Sequence, residues 1–212
     1  MKMTKTFTLL ATLALGLSVA TGTSSVKAAT STADATLESS SDPDKQNVIL
    51  ESVPSIHFGT KTITGSAITF GMGDTTGNEV TTDGKPLQVF NPGLSAAWEV
   101  SVSRDDFVAG SKVLKGAKLT FAAGDLTQKD TNDESNLPVT PESLEITDSA
   151  KLILDATKEI LTTEQKPTGT YPGVGTITDT FTKNNVQLDV PANNTAGEYT
   201  ANLTWTLQST PK

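Results

Sequence analysis

Gly197-Glu198-Tyr199-Thr200-Ala201-Asn202-Leu203-Thr204-Trp205-Thr206-Leu207-Gln208 is the stretch that decides the fold. Read with a period of two, Tyr199, Ala201, Leu203, Trp205 and Leu207 share one face, and Thr200, Asn202, Thr204, Thr206 and Gln208 share the other. Successive side chains of a β-strand point to opposite sides, so this is a strand with one dry and one wet face. Its Thr residues suit extended backbone because their β-branch restricts the side chain. Pro211 ends the ladder, having no N–H to donate.

The other tryptophan lies in a similar run at 94–103, where Leu94, Ala96, Trp98, Val100 and Val102 form the apolar face. Working outward, further strands are expected at 47–53, continued by Ile56 and Phe58, and at 60–70, 87–90, 118–122, 144–146, 176–181 and 185–190. Turns punctuate them: Asp83-Gly84, Asn91-Pro92-Gly93, and the run 191–197. Arg104-Asp105-Asp106-Phe107 reads as a turn or single helical turn, and 124–139 and 166–175 read as loops. Residues 149–161 are ambiguous, since Ala150, Ile153, Ala156 and Ile160 approximate helical spacing; with β context on both sides they are read as strand. The expected fold is all-β, a sandwich or Greek-key-like barrel of short, mainly antiparallel strands with long polar loops. Only 5% of the residues are aromatic, so Trp98, Trp205 and Tyr199 are expected to supply much of the core.

The N-terminus has the form of an export signal. Lys2 and Lys5 precede an apolar run at 7–19, and Val26-Lys27-Ala28 offers a small-residue cleavage site. The expected organisation is a signal peptide at 1–28, a flexible polar linker at 29–46 and a β domain at 47–212. No later stretch is long and apolar enough for a transmembrane segment, so none is expected after signal removal. The whole chain has 16 basic and 24 acidic residues, a net charge of −8; losing Lys2, Lys5 and Lys27 leaves 13 against 24, or −11. Such a chain repels phosphates, and nucleic acid is not an expected partner. The absence of cysteine excludes disulfides, thiolate metal sites and a Cys nucleophile.

Several residues resemble a known family. Tyr199, Leu203, Thr204, Trp205, Leu207 and Pro211 together resemble the distal motif of the WxL cell-surface domain of low-GC Gram-positive bacteria. Trp98-Glu99-Val100 resembles its proximal Trp-x-Leu element, with Val100 in place of Leu. The resemblance runs from about residue 47 to the C-terminus. It implies an extracellular protein that attaches non-covalently to the cell wall, with peptidoglycan or another wall polymer as ligand. It also implies assembly with membrane- or sortase-anchored surface proteins. The alternative is a structural or adhesive surface subunit that binds a host polymer or a neighbouring subunit.

Trp98 and Trp205 are thus open to two uses, packing in the core or stacking on wall sugars; their apolar faces favour the core. Enzymatic chemistry finds no support. The single His57 has no nucleophile motif such as Gly-x-Ser-x-Gly to serve, and no pair of carboxylates stands out for glycoside cleavage. The acidic run 130–134 fails as an EF-hand loop, because Ser135 and Pro141 stand where Gly and Glu are needed. No catalytic, metal or cofactor residue is therefore expected.

Overall fold

The structure, a computed structural model, describes residues 35–37, 46–72, 74, 80–129, 136–161 and 171–210. Residues 1–38 and 39–212 form two separate units, and the description below concerns the second. The export signal, the acidic run 130–134, Pro211 and most of the linker lie outside the described residues.

Among the described residues there is no α-helix, and every strand pairing is antiparallel. One sheet runs β1 (Ile49–Ser52), β5 (Leu87–Asn91), β13 (Gly175–Thr180), β10 (Asp125–Gln128). A second runs β11 (Ser143–Ile146), β9 (Lys118–Ala122), β14 (Val186–Val190), β3 (Ile68–Gly71). The third carries both tryptophans, in the order β12 (Lys151–Asp155), β6 (Ala97–Arg104), β15 (Leu203–Thr210). Two small ladders join β2 (Ile56–His57) to β4 (Thr81–Thr82) and β7 (Val108–Ala109) to β8 (Lys112–Val113).

The inward faces of the three larger sheets share one core, which makes the fold a β-sandwich. β6 alternates cleanly, with Trp98, Val100 and Val102 buried between half-exposed neighbours. β5 and β14 repeat that alternation with Leu87 and Val89, and with Val186, Leu188 and Val190. Burying apolar surface stabilises by roughly 25 cal/mol per Å², so the inward faces of these strands stabilise the fold. The sheets meet through aromatic rings. Phe121 of β9 lies with its centroid 6.1 Å from Trp205 of β15 and 5.1 Å from Phe181.

Four local expectations are corrected. The final strand begins at Leu203, not at Gly197. Thr200 still exchanges backbone hydrogen bonds with Val108, and the Asp105 N–H donates to the Asn202 carbonyl. Between Leu203↔Arg104 and Thr200↔Val108 the partner side holds one extra residue, and this interrupts the ladder. Residues 60–67 are not strand. Gly65 takes a left-handed φ of 83°, available to glycine at little cost, and breaks the extended run before β3. The expected loop 124–139 contains a strand, β10, which pairs with β13 over four residues. Arg104 ends β6 rather than opening a helical turn. Its guanidinium donates from Nε to the Ile146 carbonyl and from Nη2 to that of Ala117, and sits 5.3 Å from the Phe107 ring centroid.

The ambiguous segment is strand, over Lys151–Asp155. Register shifts between Leu152 and Leu154, so Ile153 and Leu154 both turn inward.

Candidate functional site

The two tryptophans occupy different environments. Trp98 is 1% exposed, and its ring packs on Gly173. That glycine has a φ of 81°, and a Cβ there would collide with the indole. Trp98 is held by the core on every side, and its Nε1 finds no hydrogen-bond partner among the described residues. Val100, the residue in place of the motif leucine, is fully buried.

Trp205 is only half-buried, as are Leu203, Leu207 and Tyr199; Thr204 is exposed on the opposite face. Three of these residues, Tyr199, Leu203 and Trp205, line a groove of about 1020 Å³. Its floor is made by Leu119 of β9, Leu188 of β14 and Phe70 of β3. No residue of β6 or β12 lines it, so it opens on the side of β15 away from its pairing partner. The facing wall is the segment 53–66, which brings Phe58 edge-on to Phe70 with centroids 6.1 Å apart. Lys61 lies 5.3 Å from the Phe70 ring centroid, and its ammonium pairs with Asp74 at 2.6 Å. His57 stands exposed at the rim.

The wall formed by the segment leading into β15 is fixed by its own polar groups. The Tyr199 hydroxyl donates to the Thr195 carbonyl at 2.9 Å. Asn194 accepts from the Lys115 N–H and donates to the carbonyls of Lys115 and Pro191. Asn202 donates to the Asp105 carboxylate at 2.9 Å. The groove is therefore apolar and aromatic at its base, with a polar rim held in place before any ligand arrives. This is the usual build of a binding cleft. It offers rings for flat apolar faces, and at its rim hydroxyl, amide and imidazole groups for polar edges.

The sequence places Tyr199, Leu203 and Trp205 on one strand face, and the structure brings them to one groove. It does not bring Trp98 or Val100 there. Phe58 and Phe70 were not singled out as site residues, and no local pattern marks them; only the packing of β3 under the segment 53–66 joins them to Trp205. Asp179 was also missed. It sits on β13 opposite Leu126 of β10 and Leu87 of β5, 1% exposed, against Gly124. Neither carboxyl oxygen has a hydrogen-bond partner among the described residues. Burial, with a smaller contribution from the Asp125 charge, pushes its pKa up to about 7. The period of two would have found it, since Ile177, Asp179 and Phe181 share a face.

Among the described residues no cluster of three His, Asp or Glu is placed to hold a metal, and no helix is long and apolar enough to cross a membrane. The chain matches a family model described as a WxL domain, surface cell wall-binding, over residues 17–211. No curated protein and no solved structure matches it.

Proposed function

Because the chain belongs to the WxL family of surface cell wall-binding domains, we propose that it is exported, cleaved after Ala28, and held non-covalently on peptidoglycan through the groove beside Trp205. The family is one of surface cell wall-binding domains, which places the chain at the cell surface and supports wall binding as its role. One observation carries the choice of groove. Of the two Trp elements in the sequence, only the distal one borders open space, while the proximal Trp98 is sealed in the core.

A glycan strand presents alternating apolar ring faces and polar edges. The rings of Trp205, Tyr199, Phe58 and Phe70 match the former, and the rim groups match the latter. Trp and Tyr combine a large apolar area with few rotatable bonds, so ordering them on a ligand costs little. On the wall the chain assembles with membrane- or sortase-anchored partners, which supply the anchoring that non-covalent binding lacks. A pull-down of the processed chain against purified peptidoglycan, and separately against surface proteins, tests both parts. Retention on peptidoglycan alone supports wall binding, and retention on protein bait supports assembly. Retention on neither contradicts the proposal.

A further inference from the structure

We propose that Lys61 is the positioning residue of the groove: it latches residues 59–65, a strap hinged on two glycines, to the sandwich and so fixes the wall that faces Trp205. Among the described residues no strand ladder includes 58–67, although this run joins β2 to β3. Every residue of 59–67 is exposed except Lys61. A segment that buries so little opens at far lower cost than a packed strand, unless something specific holds it.

Two glycines mark the ends of the strap. Gly59 has a φ of 68° and Gly65 one of 83°, conformations that glycine adopts at little cost. The chain is fixed just outside both. On one side His57 pairs with Thr81, and Phe58 packs edge-on against Phe70. On the other Ile68 pairs with Val190. A swing about the two glycines carries Thr60, Thr62 and Ile63 away from the groove and leaves Phe58 and Phe70 in place.

Lys61 opposes that swing. Its ammonium lies 5.3 Å from the Phe70 ring centroid, pairs with the Asp74 carboxylate at 2.6 Å and donates to the Thr69 carbonyl at 2.5 Å. The Lys61 and Asp74 side chains are 13% and 3% exposed. Salt screens a pair this dry only weakly, and separating it leaves a buried carboxylate without its cation. For its ligand the inference rests on the wall-binding reading of the groove. A wall polymer is a long chain, laid in from the side rather than threaded from an end. A strap latched beforehand spares the cost of ordering that wall when the polymer binds.

The test is nitrogen-15 relaxation of the processed chain without ligand, for the unaltered chain, Lys61→Met and Asp74→Asn. Met keeps an unbranched apolar stem beside Phe70, and Asn keeps the shape of Asp74 without its charge, so the two variants reach the latch from opposite ends. Backbone order parameters of residues 60–64 should be about 0.8 in the unaltered chain and below about 0.6 in Lys61→Met, with a shift in the same direction in Asp74→Asn. Those of β3, β6 and β15 should not change. Lys61→Met should also leave immobilised, solubilised peptidoglycan fragments about tenfold faster, with little change in association rate. A strap already mobile in the unaltered chain, or equally ordered in Lys61→Met, overturns the proposal. So does a loss of order that spreads to β3 or β15 in both variants, which is the mark of a merely structural pair, or a mobile strap with an unchanged dissociation rate. An unaltered chain that binds no fragments contradicts the wall-binding reading instead, and the order parameters then decide the latch by themselves.

Discussion

Replacing Asp179 by Asn should change how the stability of this domain depends on pH. The carboxyl is buried against Leu87, Leu126 and Gly124, and no donor among the described residues satisfies it. Its pKa rises from 3.8 to about 7 on folding. Between these two values the folded chain holds a proton that the unfolded chain has released. The unfolded state then binds fewer protons, and stability falls as pH rises. The penalty is absent below the unfolded value, grows through the window and is complete above about pH 7. Each pH unit between the two values corresponds to about 1.4 kcal/mol, so the ionised carboxylate destabilises the fold by about 4 kcal/mol at pH 8. Asn has nearly the same shape and no charge. At pH 3, below the unfolded value, the variant should melt close to the unaltered chain. At pH 8 it should melt higher, by about 8–16 °C for a domain of this size. Scanning calorimetry at the two pH values decides the matter. Equal pH dependence in both chains, or a variant destabilised at pH 8, would refute the reasoning.

The two tryptophans should separate in a stability assay. Trp98→Ala empties a closed site and should cost about 3–5 kcal/mol by urea unfolding, whereas Trp205→Ala, half-buried at a groove, should cost about 2 kcal/mol. Gly173→Ala forces a side chain into a left-handed backbone and into the Trp98 ring, and should cost about 2–5 kcal/mol in the same assay. Asn91→Ala removes a buried side chain that accepts from the N–H groups of Gly93 and Leu94 and donates to the Leu94 carbonyl. The denaturation midpoint should drop by the equivalent of about 2–3 kcal/mol.

Much of the sandwich is legible from periodicity alone. β5, β6, β9 and β14 read directly, because strict alternation leaves every second residue in the core. What was not legible arises where partner strands differ in residue count. The bulge between Leu152 and Leu154 breaks the alternation of β12, and the extra residue on the 105–107 side moved the start of β15 to Leu203. β10 was hidden because Leu126 is its only apolar residue. The groove was half legible. Tyr199, Leu203 and Trp205 share a face in sequence, but whether that face is sealed or open depends on what packs over it. Trp98 is covered by Gly173, while Trp205 packs on Phe121 and shares an open groove with the distant Phe58 and Phe70, and none of these pairings is written locally.

Co-sedimentation with purified peptidoglycan tests wall attachment through the distal groove most directly. The processed chain and its Trp205→Ala variant are compared at a temperature where both are folded. The groove assignment predicts that the unaltered chain pellets with the wall material while the variant stays largely in the supernatant. An unaltered chain that fails to pellet, or a folded variant that pellets equally well, would contradict it.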